Sequence, residues 1–167
     1  GLSKPTRGQA ETVAQGLNAM EIGNTEPITI FNIDTFRPGF NFPDHLKLNQ
    51  IDGYLEVFRG GGPNWSYVRP ADSGDGRVAE TSEKVEISDL CCTGLYFFRE
   101  SGSFKASFEK QASGNDFREL YVAPLYNSMI KAGANIFYHE ISQDKLSFCG
   151  VPEEYELLKK KWESDSA

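Results

Sequence analysis

Apolar positions recur along the chain with two spacings, one typical of helices and one typical of strands. In Gln9–Met20 they fall three and four residues apart, which predicts a helix that begins just after Gly8. The same spacing predicts helices over Ser103–Gln111 and Tyr121–Ala132. A last helix is predicted from Pro152, with glutamates in its first turn and lysines in its last turn, the charge order that complements the helix dipole.

Short runs of apolar, β-branched and aromatic residues lie between these helices and predict strands. Ile28–Ile33 is mostly apolar and ends at Asp34, which predicts a strand buried on both faces, as in a parallel sheet. Turn-forming residues separate the runs in the middle of the chain, so we expect an antiparallel meander there. The further predicted strands are Gly53–Phe58, Trp65–Arg69, Arg77–Glu80, Cys92–Phe98 and Asn135–Ile141.

Composition and charge narrow the classes of function. A length of 167 residues, with 39% hydrophobic and 25% charged residues, is that of one globular domain. The net charge of -7 argues against nonspecific attraction to nucleic acid or anionic lipid, so a phosphate-bearing ligand must be held by a few placed cations or by a metal ion. Neither a membrane span nor a signal peptide is predicted. We therefore expect a cytoplasmic protein that binds neither nucleic acid nor membrane.

The cysteines and histidines do not form a recognisable metal or disulfide pattern. The cysteines Cys91, Cys92 and Cys149 are odd in number and lack CxxC spacing. The histidines, His45 and His139, lie far apart along the chain. Neither a disulfide framework nor a zinc site is indicated, and we expect the thiols to be reduced and buried.

One carboxylate stands at a predicted strand end. In open α/β sheets ligands collect at the carboxyl ends of strands, so Asp34 is a candidate for holding a divalent cation. Local sequence favours equally a turn or helix-cap role for this residue.

Six short segments occur in a fixed order that covers nearly the whole chain. They are Thr6–Thr12, the strand that ends in Asp34, Ser82–Lys84, Cys92–Phe97, Asp116–Val122 and Gly150–Glu153. In that order they resemble the sugar-phosphate nucleotidylyltransferases, which make nucleotide-activated sugars for surface polysaccharides such as capsule.

The resemblance implies a fold and a reaction. The fold would be α/β, a Rossmann-like three-layer nucleotidyltransferase domain with a mixed sheet, spanning residues 1–162, with 163–167 as a disordered tail. In such enzymes a sugar 1-phosphate oxygen attacks the α-phosphate of a nucleoside triphosphate and expels pyrophosphate. Catalysis is then mainly positioning and charge neutralisation.

The resemblance also assigns the catalytic residues. Asp34 matches the aspartate that holds Mg²⁺, a hard cation that binds one or two carboxylates together with phosphate oxygens. Lys84 matches the lysine that contacts the sugar phosphate, as a mobile point charge can. The alternative for the Lys84 segment is a solvated turn.

Substrate-binding roles are implied for six further residues. Glu83 and Glu119 match glutamates that accept bonds from sugar or ribose hydroxyls, with a first-turn helix acid as the alternative for Glu119. Gly8 and Gln9 match a loop near the nucleobase, with an ordinary helix cap as the alternative. Thr93 and Gly94 match a strand whose glycine lets the backbone approach the sugar, with a bulge as the alternative.

Two departures from the family pattern modify these expectations. The Gly-rich GxGTR segment that cradles the triphosphate is absent from the sequence, so the N-terminal part of the domain is expected to be missing and this chain alone to be inactive. The open edge of the Ile28–Ile33 strand should then make the chain poorly soluble, or pair with a copy of itself or with the missing segment. In addition, Phe148 falls near where a second metal-binding acid is expected, which leaves a one-metal site or recruitment of Asp144 as alternatives.

Two other functions remain open on the sequence. One is a non-catalytic regulatory module that binds a sugar or a nucleotide. The other is a cytidylyltransferase with a non-sugar phosphorylated acceptor.

Overall fold

A mixed sheet with helices packed on it organises the molecule, and the computed structural model describes residues 4–114 and 119–165. The helices in this part of the chain are α1 (Gln9–Ala19), α2 (Ser101–Ala112), α3 (Leu125–Lys131) and α4 (Pro152–Asp165). The strands are β1 (Ile28–Ile30), β2 (Thr35–Phe36), β3 (Gly53–Arg59), β4 (Ser66–Pro70), β5 (Val78–Glu83), β6 (Leu90–Phe98), β7 (Ile136–Glu140) and β8 (Ser147–Phe148). A short 3₁₀ helix covers Gln143–Lys145.

The main sheet has the strand order β5-β4-β6-β3-β7, with β1 also paired to β6. Strands β3 and β7 run parallel, whereas the other pairs in this sheet are antiparallel. Strands β2 and β8 form a separate antiparallel pair. This arrangement confirms the predicted α/β class with a mixed sheet.

The two faces of the sheet have different covers. On β3, Leu55 and Val57 point into the large core cluster that helices α1, α2 and α3 cover. Because side chains alternate along a strand, Tyr54 and Phe58 point to the opposite face, where they join two smaller clusters. Loop residues between β2 and β3, together with β8, cover that second face.

The predicted helices are present, with corrections at their ends. Helix α1 begins at Gln9 after Gly8, as its periodicity predicts. Helix α3 begins at Leu125, later than predicted, because the chain before it forms turns that lead into Pro124. Helix α4 continues to Asp165, so its lysines do not occupy the last turn, and no glycine or proline follows them to stop the helix. The helix thus enters the segment predicted as a tail, of which residues 166–167 lie outside the described part.

The first predicted strand is the main correction. Only Ile28–Ile30 is a strand, and it pairs antiparallel with β6 instead of lying within a parallel sheet. Ile33 is 100% exposed and Phe31 is also exposed, so the run is not buried on both faces in this chain. An apolar run indicates burial but does not specify which strand pairs with it or in which direction.

The middle strands also connect differently from a simple meander. Strands β4 and β5 form the expected antiparallel hairpin, but β6 lies between β3 and β4. The β2 and β8 pair, two residues in each strand, had no recognisable sequence pattern.

No helix in the described ranges has the length and apolarity needed to cross a bilayer.

Candidate functional site

Two distant parts of the chain meet through a lysine, a tyrosine and a glutamate. Lys84 Nζ donates a hydrogen bond to the Tyr121 hydroxyl at 2.5 Å and lies 4.8 Å from the centre of the tyrosine ring. The Tyr121 hydroxyl donates in turn to the Glu119 carboxylate. A cation and a carboxylate, both predicted as ligand-binding groups, are therefore joined through one phenol.

The backbone at Lys84 is unusual. Its φ of 60° lies in the left-handed region, which residues other than glycine seldom adopt, and such residues are concentrated at functional sites. The Lys84 amide donates to the Trp65 carbonyl at 2.9 Å, which anchors this turn just after β5. The hydrogen bond to Tyr121 raises the pKa of Lys84, so the exposed ammonium stays charged at neutral pH. The group is suited to binding an anion.

Glu83, at the end of β5, lies opposite Ser66 on the neighbouring strand β4. Ser66 on β4 donates a hydrogen bond to its carboxylate. Partial burial raises the pKa of Glu83, and the bond from Ser66 and the charge of Lys84 only partly oppose this effect. The negative charge of Glu119 also raises the pKa of Glu83, in the same direction as burial.

Gly8 is pressed against the segment that carries Glu119. Its φ is 129°, and an added Cβ would lie 2.6 Å from the Leu120 carbonyl oxygen and 3.1 Å from Glu119 Cγ. The backbones of the two segments also pair, because Leu120 N donates to Arg7 O at 2.7 Å and Ala10 N donates to Leu120 O at 3.0 Å. The start of α1 therefore lies directly beside the predicted sugar-binding glutamate.

Gln9, Asn32 and Gly94 form the adjoining part of the site. Gln9 Nε2 donates to Asn32 Oδ1 at 2.5 Å. Gly94 has φ 93°, and an added Cβ would lie 2.5 Å from Asn32 Cγ. The pairing of β3 with β6 jumps from Leu55↔Tyr96 to Val57↔Cys92, so Gly94 lies in a bulge, the alternative that local sequence left open. A glycine is required here for close approach by a side chain.

The Thr93 side chain points into the protein. Thr93 is 1% exposed, and its hydroxyl donates to Glu56 Oε1 at 3.2 Å. Glu56 also accepts from Arg37, with Nε at 3.2 Å from Oε1 and Nη2 at 3.4 Å from Oε2. The contact of the Thr93–Gly94 strand with a sugar stays a prediction. The buried pair of Arg37 and Glu56 was missed, since no spacing connects residues so far apart in sequence.

Asp34, the predicted metal ligand, is exposed and lies beside the start of α4. Its carbonyl accepts from Cys149 N at 2.8 Å. An added Cβ on Gly150 would lie 3.3 Å from Asp34 Oδ2 and 3.8 Å from Glu154 Oε2. Glu154 also accepts from Gly150 N at 2.9 Å. A second carboxylate is thus close to Asp34, although the sequence pattern predicted Glu154 only as an acid in the first turn of the last helix.

Of the two other positions considered for metal binding, Phe148 lies beside Asp34, because it pairs with Thr35 on β2, but its side chain offers no oxygen ligand. Phe148 packs on Phe58 and Trp65, with ring centres 5.4 Å and 4.9 Å away. A hydrogen bond with the Ser142 side chain is the main cause that lowers the pKa of Asp144. Within residues 4–114 and 119–165, no group of three or more His, Cys, Asp or Glu side chains is arranged to hold a metal ion. Glu154 is the carboxylate that the described part of the chain places beside Asp34 at Gly150.

The Asp34 and Lys84 groups are connected through packing. Lys84 bonds to the Trp65 backbone, Trp65 packs on Phe148, and Phe148 pairs with Thr35, the residue after Asp34. Among the described residues, no hydrogen bond or ion pair joins Asp34 directly to Lys84. The predicted convergence of these two groups on one ligand stays a prediction.

The cysteines are free thiols. Cys91 and Cys92 are buried and Cys149 is half-buried. Burial raises the pKa of both Cys91 and Cys92, which keeps them protonated and unreactive.

No protein-family model matches the sequence, and no curated protein sequence matches it. Among solved structures, the chain is similar to the nucleoside-diphosphate-sugar pyrophosphorylase from Vibrio cholerae RC9, with 46% identity over 93% of this chain and 66% of that one and a TM-score of 0.85.

Two more distant structures share the fold. A protein described as a glucose-1-phosphate thymidylyltransferase from Bacillus anthracis, in complex with a sucrose, has 17% identity and a TM-score of 0.64 over 92% of this chain and 61% of that one. The inositol-1-phosphate CTP transferase from T. maritima has 12% identity and a TM-score of 0.63 over 92% of this chain and 62% of that one. The chain spans between 61% and 66% of the lengths of these structures.

The ordered motifs, the mixed sheet and the 46% identity to the Vibrio protein agree with one another. In sequence and in fold, the chain is therefore similar to the nucleoside-diphosphate-sugar pyrophosphorylase, in agreement with its resemblance to the sugar-phosphate nucleotidyltransferases.

Proposed function

We propose that the protein containing this chain transfers a nucleotidyl group from a nucleoside triphosphate to a sugar 1-phosphate and releases pyrophosphate. The observation that carries the proposal is the bonded series Lys84, Tyr121 and Glu119, with Glu83 next to Lys84 at the end of β5. It sets a charged phosphate-binding group beside carboxylates that accept hydroxyl hydrogen bonds, as a phosphorylated sugar requires. The similar Vibrio protein is named for activity on nucleoside-diphosphate sugars.

The residues named by the resemblance take the following roles in this proposal. Lys84 binds the acceptor phosphate and so directs its oxygen toward the α-phosphate. Glu119 and Glu83 accept bonds from sugar or ribose hydroxyls, and the Thr93–Gly94 backbone lies against the sugar. Gly8 and Gln9 lie near the nucleobase.

The carboxylates beside Gly150 fit a hard cation. Asp34 would hold Mg²⁺, since its exposed oxygens and the nearby Glu154 are the donor type that Mg²⁺ prefers, with phosphate oxygens completing the shell. When bound, Mg²⁺ supplies neutralisation of charge on the triphosphate as pyrophosphate leaves. Asp34 itself orients this assembly from the turn between β1 and β2, which the backbone bond to Cys149 holds in place.

The cellular setting follows from the product. A nucleotide-activated sugar is a building block for surface polysaccharides such as capsule, and its synthesis would be cytoplasmic.

Strand β1 pairs with β6 along one edge, and Ile33 and Phe31 are exposed just after it. The other edge of β1 supports the prediction that a further strand pairs here, from a second copy or from an N-terminal segment of the family type.

The test is pyrophosphate release by the protein that contains this chain, with each nucleoside triphosphate, a panel of hexose 1-phosphates and Mg²⁺. We expect Lys84→Met to lower kcat/KM by about 100-fold, the loss typical of removing one charge-stabilising donor. Lys131→Met changes an exposed lysine in the last turn of α3 and should leave the rate unchanged. Since the chain lacks a GxGTR segment, residues 1–167 by themselves should bind the acceptor without catalysing transfer.

Other outcomes would select the alternatives. Turnover with a cyclic polyol phosphate, but with no hexose phosphate, would indicate a non-sugar acceptor. Tight binding of a sugar phosphate without turnover by the protein that contains this chain would indicate a regulatory module. Equal rates for Lys84→Met and the unaltered protein would refute the assignment of Lys84.

A further inference from the structure

Tyr121 is outside the residues that the family resemblance assigns, yet it touches two of them. Its hydroxyl contacts Lys84 Nζ on one side and the Glu119 carboxylate on the other, and the lysine nitrogen lies 4.8 Å from the centre of its ring. We propose that Tyr121 is a positioning residue that holds Lys84 and Glu119 in one arrangement, so that a single acceptor is read through its phosphate and its hydroxyl together. This inference rests on the proposed function.

The chemistry of the groups sets the direction of the bonds. An ammonium can only donate, so the Tyr121 oxygen must accept from Lys84. The tyrosine proton is then directed to Glu119, which can only accept when ionised. Burial and the bond to Glu119 raise the pKa of Tyr121, so this proton is retained at neutral pH. The orientation is therefore the same throughout the physiological range.

The arrangement leaves binding capacity at both ends. Among the described residues, Lys84 donates one of its three N–H groups, to Tyr121, and two remain for phosphate oxygens. In the same part of the chain, Glu119 accepts the phenol at Oε2, and Oε1 remains for a sugar hydroxyl. A flexible lysine that is already oriented loses less conformational freedom when it binds an anion, and this is the gain that Tyr121 provides.

The ends of the series are also anchored by backbone. The Lys84 turn is bound to the Trp65 carbonyl, and the Glu119 segment is packed against Gly8. Tyr121, which lies 37 residues after Lys84 in sequence, connects these two anchored segments. A change at Tyr121 should thus alter the relation between two binding groups without removing either of them.

The experiment compares Tyr121→Phe, which keeps the ring, with Tyr121→Leu, which removes both ring and hydroxyl. Tyr138→Phe is the matched control, because Tyr138 is a half-buried tyrosine on β7 that belongs to the main core. Calorimetric titration of the protein that contains this chain uses a panel of hexose 1-phosphates and, separately, inorganic phosphate. We expect Tyr121→Phe to weaken hexose 1-phosphate binding by about fivefold, and Tyr121→Leu to weaken it further. Inorganic phosphate, which does not reach Glu119, should lose less affinity.

A second measurement does not depend on any ligand. The Lys84 pKa, followed by side-chain NMR, should fall in Tyr121→Phe and stay unchanged in Tyr138→Phe, because the bond from Lys84 to Tyr121 raises it. Thermal unfolding of each variant checks that the fold is retained.

The outcomes separate the two proposals. Unchanged hexose 1-phosphate affinity and an unchanged Lys84 pKa in Tyr121→Phe would overturn the role of Tyr121 while leaving the proposed function intact. If the unaltered protein that contains this chain binds neither inorganic phosphate nor any hexose 1-phosphate, the proposed acceptor site is wrong, and the positioning role is wrong with it. Equal losses of affinity for both ligands would show that Tyr121 acts on Lys84 alone, against the proposal.

Discussion

Arg37 and Glu56 form an ion pair on the face of the sheet away from helices α1, α2 and α3, with side chains 8% and 0% exposed. Thr93 completes the contacts of the Glu56 carboxylate. The pair lies between the two smaller core clusters and joins the segment after Asp34 to the middle of β3. A buried carboxylate of this kind requires its partner, because an unpaired charge in the interior is strongly destabilising.

Removing one member of this pair gives the first prediction. Arg37→Ala should lower the free energy of unfolding by about 3–5 kcal/mol, because it leaves Glu56 charged and buried without its partner. Arg69→Ala breaks the exposed pair with Glu80 and should change stability by less than about 1 kcal/mol. Urea denaturation of the two variants measures both values. Equal, small losses would show that the Glu56 site is solvated.

Gly8 gives a prediction about local backbone. Gly8→Ala should destabilise the chain by about 1–3 kcal/mol, since an alanine would be strained at φ 129° and its Cβ would meet the Leu120 carbonyl. Gly16→Ala, inside α1 with open space around it, should instead be neutral or stabilising by up to about 1 kcal/mol. Thermal melts of the two alanine variants provide the comparison. Similar melting temperatures would contradict the close approach of α1 to the Glu119 segment.

The raised pKa of Glu83 predicts a pH dependence. A carboxyl group whose pKa is higher when folded binds its proton more tightly in the native state, so its contribution to stability is present below the usual value of 4.5 and is lost as pH rises through the folded pKa. The unaltered chain should therefore lose stability relative to Glu83→Gln as pH rises from 4 toward neutrality. Denaturation at several pH values tests this. A difference that grows in the opposite direction would mean that Glu83 is stabilised in its charged form.

The metal assignment is tested by three carboxylates. Asp34→Asn should weaken Mg²⁺ binding, measured by calorimetry in the presence of nucleoside triphosphate, by about tenfold or more, and Glu154→Gln should have a smaller effect. Asp144→Asn should leave Mg²⁺ affinity unchanged. If Asp144→Asn has the larger effect, Asp144 is the recruited ligand and Asp34 is a turn residue.

Periodicity predicted most of the elements correctly because it reports local structure. The structure contains the predicted start of α1 after Gly8 and the predicted strands β3 and β6. It also contains the mixed sheet, with parallel and antiparallel strand pairs, that the family resemblance implied. The antiparallel direction of the Ile28–Ile30 strand, and the exposure of Phe31 and Ile33 after it, did not follow from the composition of this run. Pairing depends on which distant strand is adjacent, and an apolar run carries no information about that.

The order of short motifs along the sequence by itself indicated the family resemblance and the candidate residues Lys84 and Glu119. Tertiary structure alone decided that Tyr121 joins them, that Glu56 pairs with Arg37, and that Glu154 stands beside Asp34. Each of these side chains looks ordinary in its own segment, as a helix acid, a strand residue or an aromatic residue near a helix. Contact between segments gives them their roles, since a hydrogen bond or an ion pair depends on distances that only the folded chain sets.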